Sequence, residues 1–119
     1  MEVLFRNVRE LVEKAEKENK LISEIMIEQE ILITERTREE IMSQMDRNLT
    51  VMEEAVEKGL KGVRSTSGLT GGDAVLLQAY MKKGNSLSGE LMLDAVSKAV
   101  ATNEVNAAMG TICATPTAG

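Results

Sequence analysis

Histidine and tryptophan are absent from this 119-residue chain, and cysteine, proline, phenylalanine and tyrosine occur once each. Each scarcity removes a class of function. Without histidine, no imidazole base and no histidine-held metal can come from these residues. One cysteine cannot close an internal disulfide, which makes a reducing cytoplasm the expected compartment. Lysine and arginine form no basic block and the net charge is −5, so nucleic acid is not an expected partner. No apolar run approaches the roughly 20 residues of a membrane span, and Met1-Glu2-Val3-Leu4-Phe5-Arg6 lacks the pattern of a signal peptide. No membrane partner is expected.

What is present is helical in character. Leucine, isoleucine, valine, alanine and eight methionines carry the apolar content, and turn residues are sparse over long stretches. The expected fold is all-α, an irregular bundle of about five helices with Gly-rich loops. The length suits one modest domain.

Charge divides the chain. Residues 1–61 hold 10 of the 14 Lys and Arg and 15 of the 19 Asp and Glu, while residues 62–119 hold all but one of the nine glycines. The first part reads as charged amphipathic helices, the second as buried helices joined by loops that could build a site. Leu4, Val8, Leu11, Val12 and Ala15 share one helical face, which Asn19 and Lys20 close. A second stripe runs through Leu21, Ile22, Ile25, Met26, Leu32 and Ile33. Thr37 followed by Glu40 predicts a capping box, opening a helix with Ile41, Met45, Leu49, Met52, Val56 and Leu60 on its apolar face. Gly59 or Gly62 would end that helix. Met45 and Met52 lie on the stripe and are read as core filler rather than as an adaptable binding surface.

In the second part, the polar loop Ser65-Thr66-Ser67-Gly68-Leu69-Thr70-Gly71-Gly72-Asp73 leads into the apolar helix Ala74–Tyr80, which Gly84 ends. Another helix begins near Ser88, with Leu91, Met92, Ala95, Val96, Ala99 and Val100 as its apolar face. The loop has the composition of an anion site, since glycine lets backbone N–H groups approach a ligand at a helix start. It matches neither a P-loop nor a dinucleotide fingerprint. The plainer reading is that Thr70 or Asp73 caps the next helix. Cys113 read alone is a small buried apolar residue, and a thiolate cluster needs more ligands than one. The chain stops at Gly119 within Pro116-Thr117-Ala118-Gly119, with no closing helix, and this favours truncation.

Four stretches together carry a resemblance: Gly68-Leu69-Thr70-Gly71-Gly72-Asp73-Ala74; Leu87-Ser88-Gly89; Asp94 through Gly110; and Cys113-Ala114-Thr115-Pro116-Thr117-Ala118-Gly119. The chain resembles the α subunit of the bacterial two-subunit L-serine dehydratases over nearly its whole length, including Phe5-Arg6-Asn7-Val8 and the helix around Gln44–Leu49. The resemblance implies the N-terminal part of a larger α-helical catalytic domain. It also implies a [4Fe–4S] cluster held by three cysteines in place of pyridoxal phosphate. The iron without a protein ligand would act as Lewis acid on the serine hydroxyl while a base removes the α-proton, giving pyruvate and ammonia. Lys82, Lys83 and Lys98 then need no Schiff-base role.

Carried over by position, Cys113 is the candidate first cluster ligand, although some relatives place that cysteine after the Pro-Thr turn. The other ligands would lie beyond Gly119, so this chain alone is expected to be inactive. Thr70, Gly71, Gly72, Asp73, Asn103 and Asn106 are the candidates for lining the site of L-serine. The family's β subunit carries a Ser-Ser-His-Thr type motif, so a β partner is implied, and the missing histidine agrees with an α chain. A homo-oligomer stays open. The rival reading, from another class, is a non-catalytic helical interaction module whose partner groove lies on the Met-bearing helices of residues 21–60.

Overall fold

The computed structural model describes residues 2–114. Among them are five α-helices and no strand: α1 (Val8–Glu18), α2 (Ile22–Thr34), α3 (Arg38–Lys61), α4 (Asp73–Met81) and α5 (Glu90–Ala107). The expected all-α class holds. Two compact units are formed, Met1–Arg47 and Asn48–Gly119.

In the first unit, local chemistry sets the helix ends. The side chain of Asn7 accepts from the Glu10 N–H at 3.0 Å, and the Glu10 carboxylate accepts from the Arg6 N–H at 2.8 Å. Leu4 thus precedes α1 instead of belonging to its face, and its N–H donates to Gln29 Oε1 of α2 at 3.0 Å. Asn19 closes α1 in the left-handed conformation (φ 50°), as the sequence leads one to expect. Ala15 and Ile25 are the buried residues of α1 and α2, whereas Leu21, Ile22 and Met26 are exposed. The capping box at the start of α3 is reciprocal: the Thr37 N–H donates to Glu40 Oε2 at 2.8 Å, and the Glu40 N–H donates to Thr37 Oγ1 at 3.2 Å. Arg38 makes a two-pronged ion pair with Glu24, both contacts at 2.8 Å.

In the second unit, Gly62 (φ 107°), not Gly59, follows the end of α3. Gly59 is buried, and a β-carbon on it would stand 2.3 Å from the Ala101 carbonyl oxygen of α5. That approach decides which face of each helix is covered. In the part of α3 that lies in this unit the buried positions are Ala55 and Gly59, leaving Leu49 and Met52 exposed. In α5 they are Ser97, Ala101, Glu104 and Val105, while Leu91, Met92 and Val96 are exposed. Met45 in the first unit is likewise 58% exposed, so neither Met45 nor Met52 fills a core. Of α4 only Ala74 is fully covered, and Val75, Leu76 and Tyr80 face outward. The apolar stripes correctly marked helices, and Ala15, Ile25 and Ile41 of those stripes are buried, but in the second unit the covered faces lie elsewhere than the stripes. Small residues set the closest approach, and a hydrophobicity pattern does not weigh them.

Candidate functional site

The polar loop folds as a tight hairpin ahead of α4. The Ser65 N–H donates to the Thr70 carbonyl at 2.8 Å, and the Gly68 N–H to the Ser65 carbonyl at 2.9 Å. Ser65 Oγ lies 3.1 Å from Ser67 Oγ and accepts from the Thr70 N–H at 3.1 Å, so the serine-rich segment is bonded largely to itself. Arg64 pairs with Gly71 in an isolated antiparallel bridge. Gly71 (φ 136°) sits where a β-carbon would stand 2.2 Å from the Val63 carbonyl oxygen, a place only glycine can take.

Gly72, at φ 85°, is the N-cap of α4 and offers no side chain. Neither Thr70 nor Asp73 supplies the cap. It comes instead from Glu104 on α5, whose carboxylate accepts from the Asp73 N–H at 3.0 Å and the Ala74 N–H at 2.7 Å. The backbone groups that an anion at this helix start would use are therefore engaged by the chain's own carboxylate. A second tie lies further along α4: Gln78 Nε2 donates to Ser97 Oγ at 2.8 Å, and Ser97 Oγ donates to the Asp94 carbonyl at 2.8 Å.

Through Glu104 the structure brings the Thr70–Asp73 loop to the same end of α5 that carries Asn103 and Asn106. Thr70, Gly71, Gly72 and Asn106 are half-buried, and Asp73 and Asn103 are exposed. Beyond α5, Met109 turns left-handed (φ 62°) and the Gly110 N–H donates to the Val105 carbonyl at 2.8 Å. Cys113 follows, half-buried and free. Thr115 to Gly119, with the Pro116-Thr117 turn, lie outside the described residues.

Among the described residues no group of three His, Cys, Asp or Glu side chains is placed to hold a metal ion. Cys113 is the chain's single thiol, so these residues do not by themselves make the three-cysteine site that a cluster of the implied type requires.

Glu104 is the residue that reading the sequence overlooks. It lies one and two turns beyond Ala101 and Ser97 on the covered face of α5, opposite a Gly-Gly helix start with no capping side chain, a juxtaposition that only the fold creates.

The family model described as serine dehydratase alpha chain matches residues 17–119. The chain belongs to that family. It is 69% identical over 116 residues to a protein of Bacillus subtilis (strain 168) named probable L-serine dehydratase, alpha chain, covering 98% of this chain and 39% of that protein. It is 32% identical over 117 residues to the L-serine dehydratase, alpha chain, of Peptoniphilus asaccharolyticus, covering 98% of this chain and 40% of that protein. The chain thus spans about two fifths of the length of these relatives. No solved structure matches it. No helix among the described residues is long and apolar enough to cross a membrane.

In the first unit, Met26, Ile27, Ile41, Met42 and Met45 line an apolar groove of about 560 Å³, the feature on which an interaction module would rest. The family match does not favour that module.

Proposed function

We propose that this chain forms part of the α chain of a cytoplasmic L-serine dehydratase, which acts with a β subunit. The reaction removes a proton from Cα and the hydroxyl from Cβ of L-serine. The resulting aminoacrylate tautomerises to an imine, whose hydrolysis returns the lost water and releases pyruvate and ammonia. The observation that carries this reading is 69% identity, along 98% of the chain, to a protein named for that activity.

Within it, Thr70, Gly71, Gly72 and Asp73, with Asn103 and Asn106, bind the substrate. The half-buried loop and the adjoining end of α5 support this assignment, because they offer polar groups beside partly covered backbone. The Asp73 and Ala74 N–H groups are committed to Glu104, so the serine carboxylate takes its hydrogen bonds from other groups of the loop or from the partner. Cys113 is proposed as one thiolate ligand of a [4Fe–4S] cluster whose remaining cysteines come from outside this chain. This chain alone is expected to be inactive.

The test is pyruvate release from L-serine by the full-length α chain with its β partner, after anaerobic reconstitution with iron and sulfide. Wild type is expected to turn over and to show cluster absorbance, and Cys113→Ala to show neither. Equal behaviour of the two would make Cys113 a packing residue, and a silent wild type would remove the dehydratase reading itself.

A further inference from the structure

Glu104 is 2% exposed, the one buried charged side chain among the described residues, and none of the ion pairs formed there includes it. A carboxylate withdrawn from water without a cation is costly unless hydrogen bonds and dipoles replace the solvent. Here two backbone N–H groups and the positive end of α4 replace it.

A helix start is usually capped by Ser, Thr, Asp or Asn one position ahead of it. No such side chain stands here. Gly72 holds φ 85° and Gly71 φ 136°, conformations that glycine tolerates, and at Gly71 the loop backbone lies against Val63 and Arg64. The cap is therefore delivered from a residue about thirty positions away, on the helix that also carries Asn103 and Asn106. One carboxylate joins the two segments to which substrate binding is assigned.

We propose that Glu104 is a positioning residue for the serine site: by holding the Asp73 and Ala74 N–H groups it fixes the Gly71–Gly72 corner and the Ser65–Thr70 loop in one geometry against the end of α5. The inference rests on the dehydratase reading above. A loop released from this clamp samples other geometries, and substrate must then order it on binding. The cost falls on KM, while groups acting on bound serine are left as they were.

The experiment compares wild type, Glu104→Gln and Glu104→Asp in the full-length α chain with its β partner. It reads KM and kcat for L-serine together with hydrogen exchange of the segment containing the Asp73 and Ala74 amides. Glutamine keeps the length but sets an N–H donor against one of the two N–H groups, and aspartate keeps the charge but withdraws it by one methylene. In Glu104→Gln, KM is expected to rise about tenfold with kcat within about twofold of wild type, since small displacements of binding groups are expensive. Glu104→Asp is expected to fall between the two, and both variants to exchange faster at 73–74. If Glu104→Gln does not yield soluble enzyme, the same split is read on Glu104→Asp. An unchanged KM with lowered kcat or lowered yield would overturn the proposal, as would failure of both variants to fold, because Glu104 would then serve the core alone. A wild type that releases no pyruvate fails at the first step, which separates loss of the dehydratase reading from loss of the clamp.

Discussion

Gly59 of α3 and Ala101 of α5 are so close that a β-carbon at position 59 would stand 2.3 Å from the Ala101 carbonyl oxygen and 2.6 Å from its side chain. Glycine inside a helix ordinarily costs about 1 kcal/mol relative to alanine, so Gly59→Ala would stabilise an isolated helix. In this fold the opposite is expected. The obstructing atom is backbone, which cannot rotate away, and overpacking of this kind costs about 1–3 kcal/mol. Urea unfolding of the full-length α chain should therefore show a lowered midpoint for Gly59→Ala. Adding Ala101→Gly should not restore it, since the carbonyl oxygen stays in place. A raised midpoint would mean that α3 and α5 pack more loosely than described.

The capping box of α3 makes a prediction in pH. The Thr37 backbone N–H, which donates to the Glu40 carboxylate, holds that carboxyl below its ordinary value of 4.5, and a bond from the Thr37 hydroxyl lowers it further. A carboxyl with a depressed folded value stabilises above its unfolded value and loses that contribution as pH falls through the folded one. The first turn of α3 should then be firmest at neutral pH and loosen only as pH falls below 4.5 through the lowered folded value. Amide exchange of residues 38–41 against pH checks it. Thr37→Ala should weaken the turn by about 1 kcal/mol at neutral pH and move its acid opening toward the ordinary carboxylate value.

Features whose two halves lie within one turn of each other were readable in the chain alone. Thr37 and Glu40 are three residues apart, Asn19 closes α1 on its own backbone, and Gly62 ends α3 by its own conformation. Each is decided by local sterics, which residue identity reports directly. The covered face of α5 was not readable in the same way. Leu91, Met92 and Val96 outrank Ser97 and Ala101 in hydrophobicity, yet the smaller residues are covered, because α5 is drawn to Gly59 and Ala74, where bulk does not fit. The polar loop was recognisable from Gly71 and Gly72, whereas its cap was not, because the carboxylate arrives from α5 across a separation that a motif cannot span.

Gly71 and Gly72 are adjacent and both have positive φ, yet they are expected to respond unequally to substitution. At Gly71, φ is 136° and an added β-carbon would meet the Val63 carbonyl oxygen at 2.2 Å and Arg64 Cα at 2.6 Å. Conformational strain alone is about 1–3 kcal/mol for a residue with a side chain, and the collision adds to it. Gly71→Ala should therefore lower the melting temperature and, in the proposed enzyme, raise KM for L-serine by displacing the hairpin from α4. At Gly72, φ is 85° with ψ −8°, and nothing stands within 4 Å of an added β-carbon. Asparagine tolerates positive φ better than most residues with a side chain, so Gly72→Asn carries strain without collision and should lose about 1 kcal/mol, less than Gly71→Ala. Thermal unfolding of the two variants side by side decides the matter. Equal losses would mean that backbone strain governs both positions, and a tolerated Gly71→Ala would mean that the Val63–Gly71 approach is not maintained in solution.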